Sequence, residues 1–312
     1  MAALLLHPRS KLALRGDWVL AAATGAATLL VLAMVAVILG DIARNGWQRL
    51  SWQFVSTAPS DGMTDGGIFP AIYGTCVLVL VMSMAVVPVG VATAVYLHEY
   101  ANRNGWPARI VRVAVHNLAG VPSIVFGLFG LGFFVQFVGA GMDTVLHGGE
   151  KVWGQPALLW AAMTLAALTL PVVIVATEEA LRAVPQELRL ASAALGASRF
   201  QTVLHIVLPQ SLPGILTGAI LAVSRGAGEV APILFTGAAY FLPHLPATLH
   251  DQFMELGYHV YVLATQSPDV DATKPLLYST VVVLLVLTFL LNSVAVVLRS
   301  RLRRRAKGGA HG

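Results

Sequence analysis

Six long apolar stretches constrain this chain more than any other feature of its sequence. They cover residues of about 18–40, 71–97, 113–138, 157–178, 212–235 and 276–298. Because a hydrocarbon layer of about 30 Å requires roughly 20 apolar residues in helical form, each stretch is long enough to cross a membrane. The pattern predicts an all-α integral membrane protein with six transmembrane helices.

The overall composition excludes a soluble protein. Of the 312 residues, 57% are hydrophobic and only 11% are charged, whereas an average soluble domain carries about 25% charged residues. The single cysteine, Cys76, allows neither an intramolecular disulfide nor a cysteine-rich metal site, and the nine histidines are scattered without ligand spacing. We expect no metal site, no cofactor and no catalytic residue in this chain.

The placement of lysine and arginine predicts the orientation of the helices. Fifteen of these residues lie before the first stretch or after the second, fourth and sixth, and four lie in the other loops. Since lysine and arginine accumulate in cytoplasmic loops, both termini are expected in the cytoplasm. The first stretch, at 23 residues, exceeds the roughly 7–15 apolar residues of a signal peptide and is interpreted as a retained anchor. The basic tail 301–312 is expected to fix orientation or contact anionic lipid, and not to bind nucleic acid.

Proline divides the six stretches into two groups. The second to fifth stretches contain proline and the first and sixth contain none; the prolines are Pro88, Pro122, Pro171, Pro213 and Pro232. A proline removes one backbone hydrogen bond, which a membrane helix tolerates where neighbouring helices or a cavity satisfy the freed carbonyl. We expect the second to fifth stretches to form an inner set around a pathway, with the others at the periphery. Alternatively, the prolines only reflect their general frequency in membrane helices.

The fifth stretch carries a charged pair, Arg225 and Glu229. A charge near the bilayer centre costs at least about 2.5–3.5 kcal/mol, and Gly226, Gly228 and Pro232 predict a discontinuous helix at this point. The planar fork of arginine suits a tetrahedral oxyanion, and Glu229 would hold it when no anion is bound. Alternatively, the pair neutralises itself and locks two helices together.

A second candidate for the pathway lies in the third stretch. Gly120, Gly127 and Gly130 permit close helix approach, and Ser123 lies among them. We assign Ser123 to the substrate pathway. The sequence places no histidine or aspartate partner beside it, so a nucleophilic role is not expected.

The cytoplasmic loop 179–211 is long enough to hold structure of its own. Pro185 can occupy a first helical turn, and Leu208–Pro209 is expected to end the second of two short helices. Apolar residues at helical spacing form two stripes on either side of Gly196: Leu188, Ala191 and Leu195, then Phe200, Val203, Leu204 and Val207. The pattern predicts two amphipathic helices joined by a glycine elbow. They would form a docking surface or, alternatively, lie on the membrane surface.

This loop resembles the signature of ABC importer permeases, in which Glu-Ala-Ala, three residues, glycine and nine further residues precede Ile-x-Leu-Pro. Gly196 fits the glycine, and Leu190 stands where the family has glutamate. The resemblance implies that the matching residues couple the chain to an ATPase: Leu190, Ala191, Ser192, Gly196, Ile206, Leu208 and Pro209.

Further segments are similar to the PstA-type permeases of phosphate-specific ABC importers. They cover residues 66–75, 94–101, 120–130, 177–185 and 225–232, and the likeness runs from about residue 66 to 300. Alternatives are the sister subunit PstC, or a permease of the same family for another oxyanion such as phosphonate, sulfate or molybdate. A stand-alone secondary transporter or a membrane enzyme would need no docking loop.

The resemblance implies a type I importer permease fold in the bacterial inner membrane, forming a pathway for inorganic phosphate. It also implies partners: a PstC-like second permease, two copies of a PstB-like cytoplasmic ATPase and a PstS-like periplasmic phosphate-binding protein. The chain lacks a Gly-x4-Gly-Lys-Ser/Thr nucleotide loop, so ATP hydrolysis is expected in a partner and this chain is not itself an enzyme. The transmembrane domain is expected over 67–300, after an N-terminal region 1–66 that holds the first helix.

The periplasmic segment 236–275 is too long for a plain connector. Its apolar residues at helical spacing are Leu249, Phe253, Leu256 and Val260. We expect a lateral helix that packs on the bundle and contacts the binding protein through Asp251 and Glu255. Alternatively, the helix only covers the bundle.

Overall fold

The computed structural model describes residues 11–60, 65–102, 105–267 and 269–308. Some predicted features lie outside the described residues. They are Arg9 and Arg103, which the topology prediction uses, and residues 309–312 of the basic tail. The α-helices are α1 Lys11–Gly46, α2 Trp52–Ser56, α3 Phe69–Val95, α4 Trp106–Leu118, α5 Ser123–Phe129, α6 Ala140–Leu146, α7 Leu158–Arg182, α8 Gln186–Ala194, α9 Arg199–Thr202, α10 Leu208–Gly226, α11 Leu256–Thr265 and α12 Val270–Gly308.

The remaining regular structure is short. A 3-10 turn, Trp47–Arg49, follows α1, and two strands, β1 Pro59–Ser60 and β2 Asp65–Gly66, pair antiparallel before α3. Three π-helical segments continue the helices: Tyr96–Tyr100 after α3, Gly130–Gly139 between α5 and α6, and Val203–Val207 between α9 and α10.

Six helical segments within the described residues are long and apolar enough to cross a membrane. They are Asp17–Arg49, Phe69–Tyr100, Ser123–Leu146, Leu158–Arg182, Arg199–Gly226 and Val270–Arg301. The prediction of an all-α protein with six transmembrane helices is confirmed.

The third span begins later than the sequence predicted. Residues 113–118 belong to the separate helix α4, which buries Ala108 and Val115 and exposes Trp106. The chain breaks before Pro122 because proline disfavours helical backbone at the residue that precedes it. The membrane helix therefore starts at Ser123.

The fifth span starts and ends earlier than predicted. It begins at Arg199 and runs through the π-helical segment into α10, so the expectation that Pro209 ends a loop helix is wrong. Pro209 is the second residue of α10 and directly follows the π-helical segment, so the helix continues through it. The helix ends at Gly226, and residues 227–237 continue as turns or irregular chain. The predicted discontinuity is present, and the predicted helical segment 227–235 is not.

Helix α7 lies at the centre of the bundle, between α3 and α10. In its most apolar part 67% of the residues are buried, whereas none is buried in the corresponding parts of α1 and α12. The peripheral position predicted for the first and sixth spans is thus confirmed. One apolar cluster joins Met82 of α3, Leu165 of α7 and Ala222 of α10.

A close approach at Gly74 fixes the periplasmic segment against α3. A Cβ atom at this position would overlap the carbonyl oxygen of Met254. The neighbouring Thr75 accepts a hydrogen bond from the N–H of Leu256 over 3.0 Å. The absence of a side chain at Gly74 therefore allows the two backbones to meet.

Replacing Gly74 with alanine should destabilise the fold by roughly 1–3 kcal/mol, because the added methyl group meets a backbone atom. Thermal unfolding of the detergent-solubilised protein measures the effect. Gly132→Ala is the matched control, because no atom lies within 4 Å of a Cβ placed there, and alanine is the better helix former. Equal unfolding temperatures for the two variants would contradict the close approach.

Candidate functional site

Arg225 lies in the last turn of α10, directly before the helix ends at Gly226. Its Nε donates a hydrogen bond to Oε1 of Glu229 over 3.3 Å, so the predicted pair forms. Glu229 lies beyond the end of the helix, in the irregular segment. Within the described residues, no ion pair joins Arg225 or Glu229 to another helix. The alternative in which the pair locks two helices together therefore has no support here.

Two contacts hold the end of α10 in place. Gly226 packs against Met82 near the middle of α3, and a Cβ at Gly226 would overlap the Met82 sulfur. From α12, Nδ2 of Asn292 donates to Oγ of Ser224 over 3.2 Å. Asn292 was not predicted to support the site, although an amide within an apolar stretch is the signal that could have revealed it.

The charged pair faces an open side of the chain. The side chain of Arg225 is 41% exposed and that of Glu229 is 23% exposed, and a Cβ on Gly228 would meet open space. One turn before Arg225, Leu221 lines a groove of about 370 Å³ between α4, α7 and α10, which also includes Glu179. Residues four apart share a helix face, so the guanidinium and the groove lie on one side of α10.

Ser123 begins α5 and is half-buried. Its helix packs against the segment that follows the charged pair, since a Cβ on Gly127 would lie 2.8 Å from the carbonyl oxygen of Ala231. Among the hydrogen bonds of the described residues, none joins Ser123 to Arg225 or Glu229. The structure brings the helix of Ser123, but not its hydroxyl, to the charged pair.

The two predicted loop helices are present as α8 and α9, with Gly196 between them. Gly196 has φ of +83°, a left-handed conformation that favours glycine. Its N–H donates to the Ala193 carbonyl, and the N–H of Ala197 donates to the Ser192 carbonyl. These are the two hydrogen bonds of a Schellman motif, which ends α8. Ser198 then caps α9, so the glycine elbow has the predicted geometry.

The outer surface of the elbow carries several apolar side chains. Its exposed large apolar residues are Leu188, Leu190, Leu195, Phe200 and Leu204, and they lie beside exposed polar residues such as Glu187 and Gln201. The second predicted stripe is divided, because Val203 and Val207 are buried against the bundle. Leu190, in place of the family glutamate, therefore adds to an exposed apolar surface.

The other motif residues lie on or next to this surface. Ala191 and Pro209 are exposed, and Ser192, Ile206 and Leu208 are half-buried. The hydroxyl oxygens of Ser192 and Thr202 are hydrogen bonded over 2.9 Å, which ties α8 to α9.

The periplasmic segment differs from its prediction. Helix α11 covers only Leu256–Thr265, and Leu249 and Phe253 lie in irregular chain before it. Asp251 accepts backbone hydrogen bonds from Ala247 and Thr248. Phe253 and Leu256 are buried, whereas Leu249 is exposed, so the apolar spacing over 249–260 does not mark one continuous helix.

Glu255 is the N-cap of α11. Its carboxylate accepts hydrogen bonds from the N–H groups of Gly257 and Tyr258 over 2.8 and 2.7 Å, and the residue is only 3% exposed. The expectation that Glu255 contacts a binding protein is therefore wrong. Burial raises its pKa to about 7, although these hydrogen bonds act in the opposite direction. His259 on the same helix is buried as well, and burial lowers its pKa to about 4, so at neutral pH His259 offers Glu255 no positive charge.

At the cytoplasmic end of α7, an acidic residue pairs with α4. Oε1 of Glu178 lies 3.6 Å from Nε of Arg112 on α4, whereas the neighbouring Glu179 is exposed. Within the described part of the chain, no three histidine, cysteine or acidic side chains are grouped so that they could hold a metal ion.

The family of binding-protein-dependent transport system inner membrane components matches residues 86–305. This range contains the elbow, α10 and the charged pair. The chain belongs to this family. Its inner-membrane location and its role as a permease, with ATP hydrolysis in a partner, follow from that membership.

Two relatives show how close the likeness is. A probable ABC transporter permease protein of Bacillus subtilis (strain 168), YqgI, is 34% identical over 267 residues, which cover 80% of this chain and 85% of that protein. The phosphate transport system permease protein PstA 1 of Mycobacterium tuberculosis is 38% identical over 193 residues, which cover 62% of this chain and 57% of that protein.

The fold is shared with a solved importer. A chain of a bacterial alginate ABC transporter, solved in complex with an alginate pentasaccharide-bound periplasmic protein, superimposes with a TM-score of 0.64 over 93% of this chain and 96% of that chain. The two sequences are 15% identical, so the likeness concerns the fold alone. The predicted type I importer permease fold is confirmed.

Replacing Glu255 with glutamine should raise the stability of the fold relative to the wild type as the pH rises from about 4.5 to 7. Below the ordinary pKa of 4.5 the carboxyl is protonated in both folded and unfolded chains. As the pH rises, the unfolded chain loses this proton first, so Glu255 costs the wild-type fold stability until the pH passes the folded pKa of about 7. The lowered pKa of His259 acts in the opposite sense in both proteins, so the measurement is the difference in unfolding temperature between the variant and the wild type from pH 5 to 8.

Asp251→Asn is the control for this measurement. Backbone hydrogen bonds, that from Thr248 above all, lower the pKa of Asp251, so it titrates below the tested range. The difference in unfolding temperature between this variant and the wild type should stay constant over the range. A constant difference for Glu255→Gln as well would contradict the raised pKa of Glu255.

Proposed function

We propose that this chain is a PstA-like permease subunit of an ATP-driven importer, and that it forms part of a pathway for inorganic phosphate across the inner membrane. The observation that carries the proposal is Arg225, the only lysine or arginine within the six apolar stretches. Its guanidinium lies at a helix end and faces an open side of the chain. The identity with the phosphate transport permease of Mycobacterium tuberculosis supports phosphate as the substrate.

A guanidinium suits phosphate for electrostatic and geometric reasons. Phosphate carries about one to two negative charges at neutral pH, and a pathway that removes water has to compensate for them. Among the hydrogen bonds of the described residues, that of the Arg225 side chain uses Nε only. Both terminal nitrogens are thus available to donate in parallel to two phosphate oxygens.

Glu229 orients the fork of Arg225. Its hydrogen bond from Nε leaves the outer edge between the two terminal nitrogens without a partner among the described hydrogen bonds, so phosphate can bind there without displacing Glu229. The carboxylate also places a negative charge near the bound anion, which favours release over tight retention. Ser123 borders the same pathway from the start of α5.

The complex contains partners on both sides of the membrane. A PstC-like permease completes the pathway opposite Arg225, and a PstS-like periplasmic protein delivers phosphate. Two copies of a PstB-like ATPase bind in the cytoplasm, one of them on the exposed apolar surface of α8 and α9.

Transport follows alternating access. Closure of the ATPase dimer on ATP moves the docking elbow, and α9 continues through a π-helical segment into α10. Movement at the elbow therefore reaches the helix end that holds Arg225. Phosphate enters from the periplasmic side, contacts the guanidinium and leaves on the cytoplasmic side when the ATPases separate.

Replacing Arg225 should reduce phosphate uptake in proportion to what the new side chain loses. Arg225→Lys keeps the charge but loses the bidentate fork, so uptake should fall about tenfold. Arg225→Gln also removes the charge and leaves Glu229 to repel the anion, so uptake should fall further. The measurement is phosphate uptake at matched membrane levels of the permease, with sulfate and molybdate as competitors.

The double variant Arg225→Gln/Glu229→Gln separates substrate binding from charge balance. If Arg225 binds the anion, the double variant inserts normally and stays inactive. Recovery of full uptake in the double variant would show that Arg225 only neutralises Glu229. Uptake of sulfate or molybdate by the wild-type complex, with no uptake of phosphate, would reject phosphate as the substrate.

Gly196→Val should abolish coupling while the protein still inserts into the membrane. A β-branched residue is strained at positive φ, so the elbow between α8 and α9 should change shape. Phosphate uptake should fall, and less ATPase should co-purify with the permease. Asparagine tolerates the left-handed conformation, so Gly196→Asn is the matched control and should keep most of the uptake. Normal uptake in the valine variant would argue against a coupling role.

A further inference from the structure

The π-helical segment Tyr96–Tyr100 at the cytoplasmic end of α3 is held by both loop helices. Nη2 of Arg189 on α8 donates to Oε1 of Glu99 over 3.0 Å. The guanidinium carbon of Arg199 on α9 lies 5.8 Å from the ring centroid of Tyr100, within the range of a cation–π contact. Two adjacent residues of this segment thus each receive an arginine from a different loop helix.

Arg189 also joins α8 to the end of α7. Its Nη1 donates to the carbonyl of Val184 over 2.6 Å, and its Nη2 donates to the carbonyl of Leu181 over 2.8 Å. Leu181 lies in the last turn of α7 and Val184 lies just beyond its end, where carbonyls have few partners within the helix, so Arg189 ties α8 to this end. The side chains of Arg189 and Glu99 are 20% and 10% exposed, so water and salt screen their attraction only weakly.

The elements that Arg189 connects are also packed together. Leu97, Leu181, Val184 and Val207 belong to one buried apolar cluster at the cytoplasmic end of the bundle. The hydrogen bonds of Arg189 lie at the edge of this cluster. A shift of α8 therefore acts directly on the ends of α3 and α7.

Successive residues of α8 serve opposite sides of the helix. Leu190 is 62% exposed on the docking surface, whereas Arg189 is directed inward to Glu99 and the end of α7. Contact with a partner on one side of α8 is thus mechanically linked to the bundle on the other side.

Helix α3 leads from this contact to the charged pair. It is continuous from Phe69 through the π-helical end at Tyr100. Near its middle Met82 packs against Gly226, the residue that follows Arg225. Displacement of the cytoplasmic end of α3 would therefore move the side chain that supports the end of α10.

We propose that Arg189 and Glu99 are positioning residues that transmit movement of the ATPase-docking loop to α3 and, through Met82, to the Arg225 site. This inference rests on the proposed function, because it requires an ATPase on the loop. It adds a connection through α8 to the direct connection of α9 with α10. The π-helical segment suits the role, since such segments occur frequently at functional sites.

The test uses the complete complex of both permeases, ATPase and binding protein in phosphate-containing liposomes. Glu99→Gln and Arg189→Gln should keep ATPase binding and phosphate-stimulated ATP hydrolysis. The amount of phosphate moved per ATP hydrolysed should fall about tenfold, because a charge-assisted contact is lost. The double variant should be no worse than Arg189→Gln, because both changes remove the same contact.

The ratio of phosphate to ATP does not depend on how much protein folds, so a purely structural role would leave it unchanged. Arg109→Gln is the matched control, since Arg109 is an exposed arginine on α4 and its loss should not alter the ratio. Arg189→Lys keeps the charge with fewer donors and should give an intermediate ratio, even if the glutamine variants fold poorly.

Two results would overturn the inference. The first is a wild-type ratio in Glu99→Gln, Arg189→Gln and Arg189→Lys. The second is loss of ATPase binding in the glutamine variants, because the pair would then build the docking surface instead of transmitting its movement. Failure of the wild-type complex to hydrolyse ATP in response to phosphate would instead reject the proposed function.

Discussion

A chain that ends a helix inside a membrane has to satisfy the freed backbone groups within the protein, because hydrocarbon offers no hydrogen-bond partner. The segment after Gly226 meets this requirement at the start of α7. The N–H of Ala157 donates to the carbonyl of Thr236 over 2.8 Å, and the N–H of Leu158 donates to the carbonyl of Asp251 over 2.9 Å. The first N–H groups of a helix also lack partners within it. Carbonyls of the chain that follows α10 and the first N–H groups of α7 therefore satisfy each other, which fixes the chain beyond Arg225 against the bundle.

The same requirement explains why small residues surround the segment after the charged pair. A Cβ on Gly237 would overlap the carbonyl oxygen of Ala157, and one on Gly130 would overlap the side chain of Thr164. Backbone can exchange hydrogen bonds with a neighbouring helix only when it approaches closely, and glycine permits that approach. The supporting side of the segment is thus fixed by packing, while its other side, at Gly228, remains open. A rigid support and an open face together allow a charged side chain to be held in place and still meet a ligand.

Much of the architecture could be predicted from the sequence, because the bilayer imposes helix length, composition and the distribution of positive charge. The glycine elbow was predictable as well, since Gly196 lies between two apolar stripes and local hydrogen bonds set its conformation. The end of the fifth helix was not predictable, because glycine and proline show that a helix is weak but not where tertiary contacts end it. Helical spacing around Phe253 was misleading, because irregular chain packed on a bundle can also bury residues at such intervals. The pair between Arg112 and Glu178 links distant parts of the chain, and neither residue alone indicates its partner.

Counting hydrogen-bond acceptors separates the roles of the arginines in this protein. A guanidinium offers five N–H donors in a fixed plane. Arg189 directs its two terminal nitrogens to three acceptors, one carboxylate and two carbonyls at the end of a helix, so its outer edge is engaged and it serves as a connector. Arg225 is held through Nε alone among the described contacts, so its orientation is set while the edge that suits an oxyanion stays available. The surroundings of each side chain, rather than the residue type, thus assign one arginine to the structure of the coupling region and the other to the substrate.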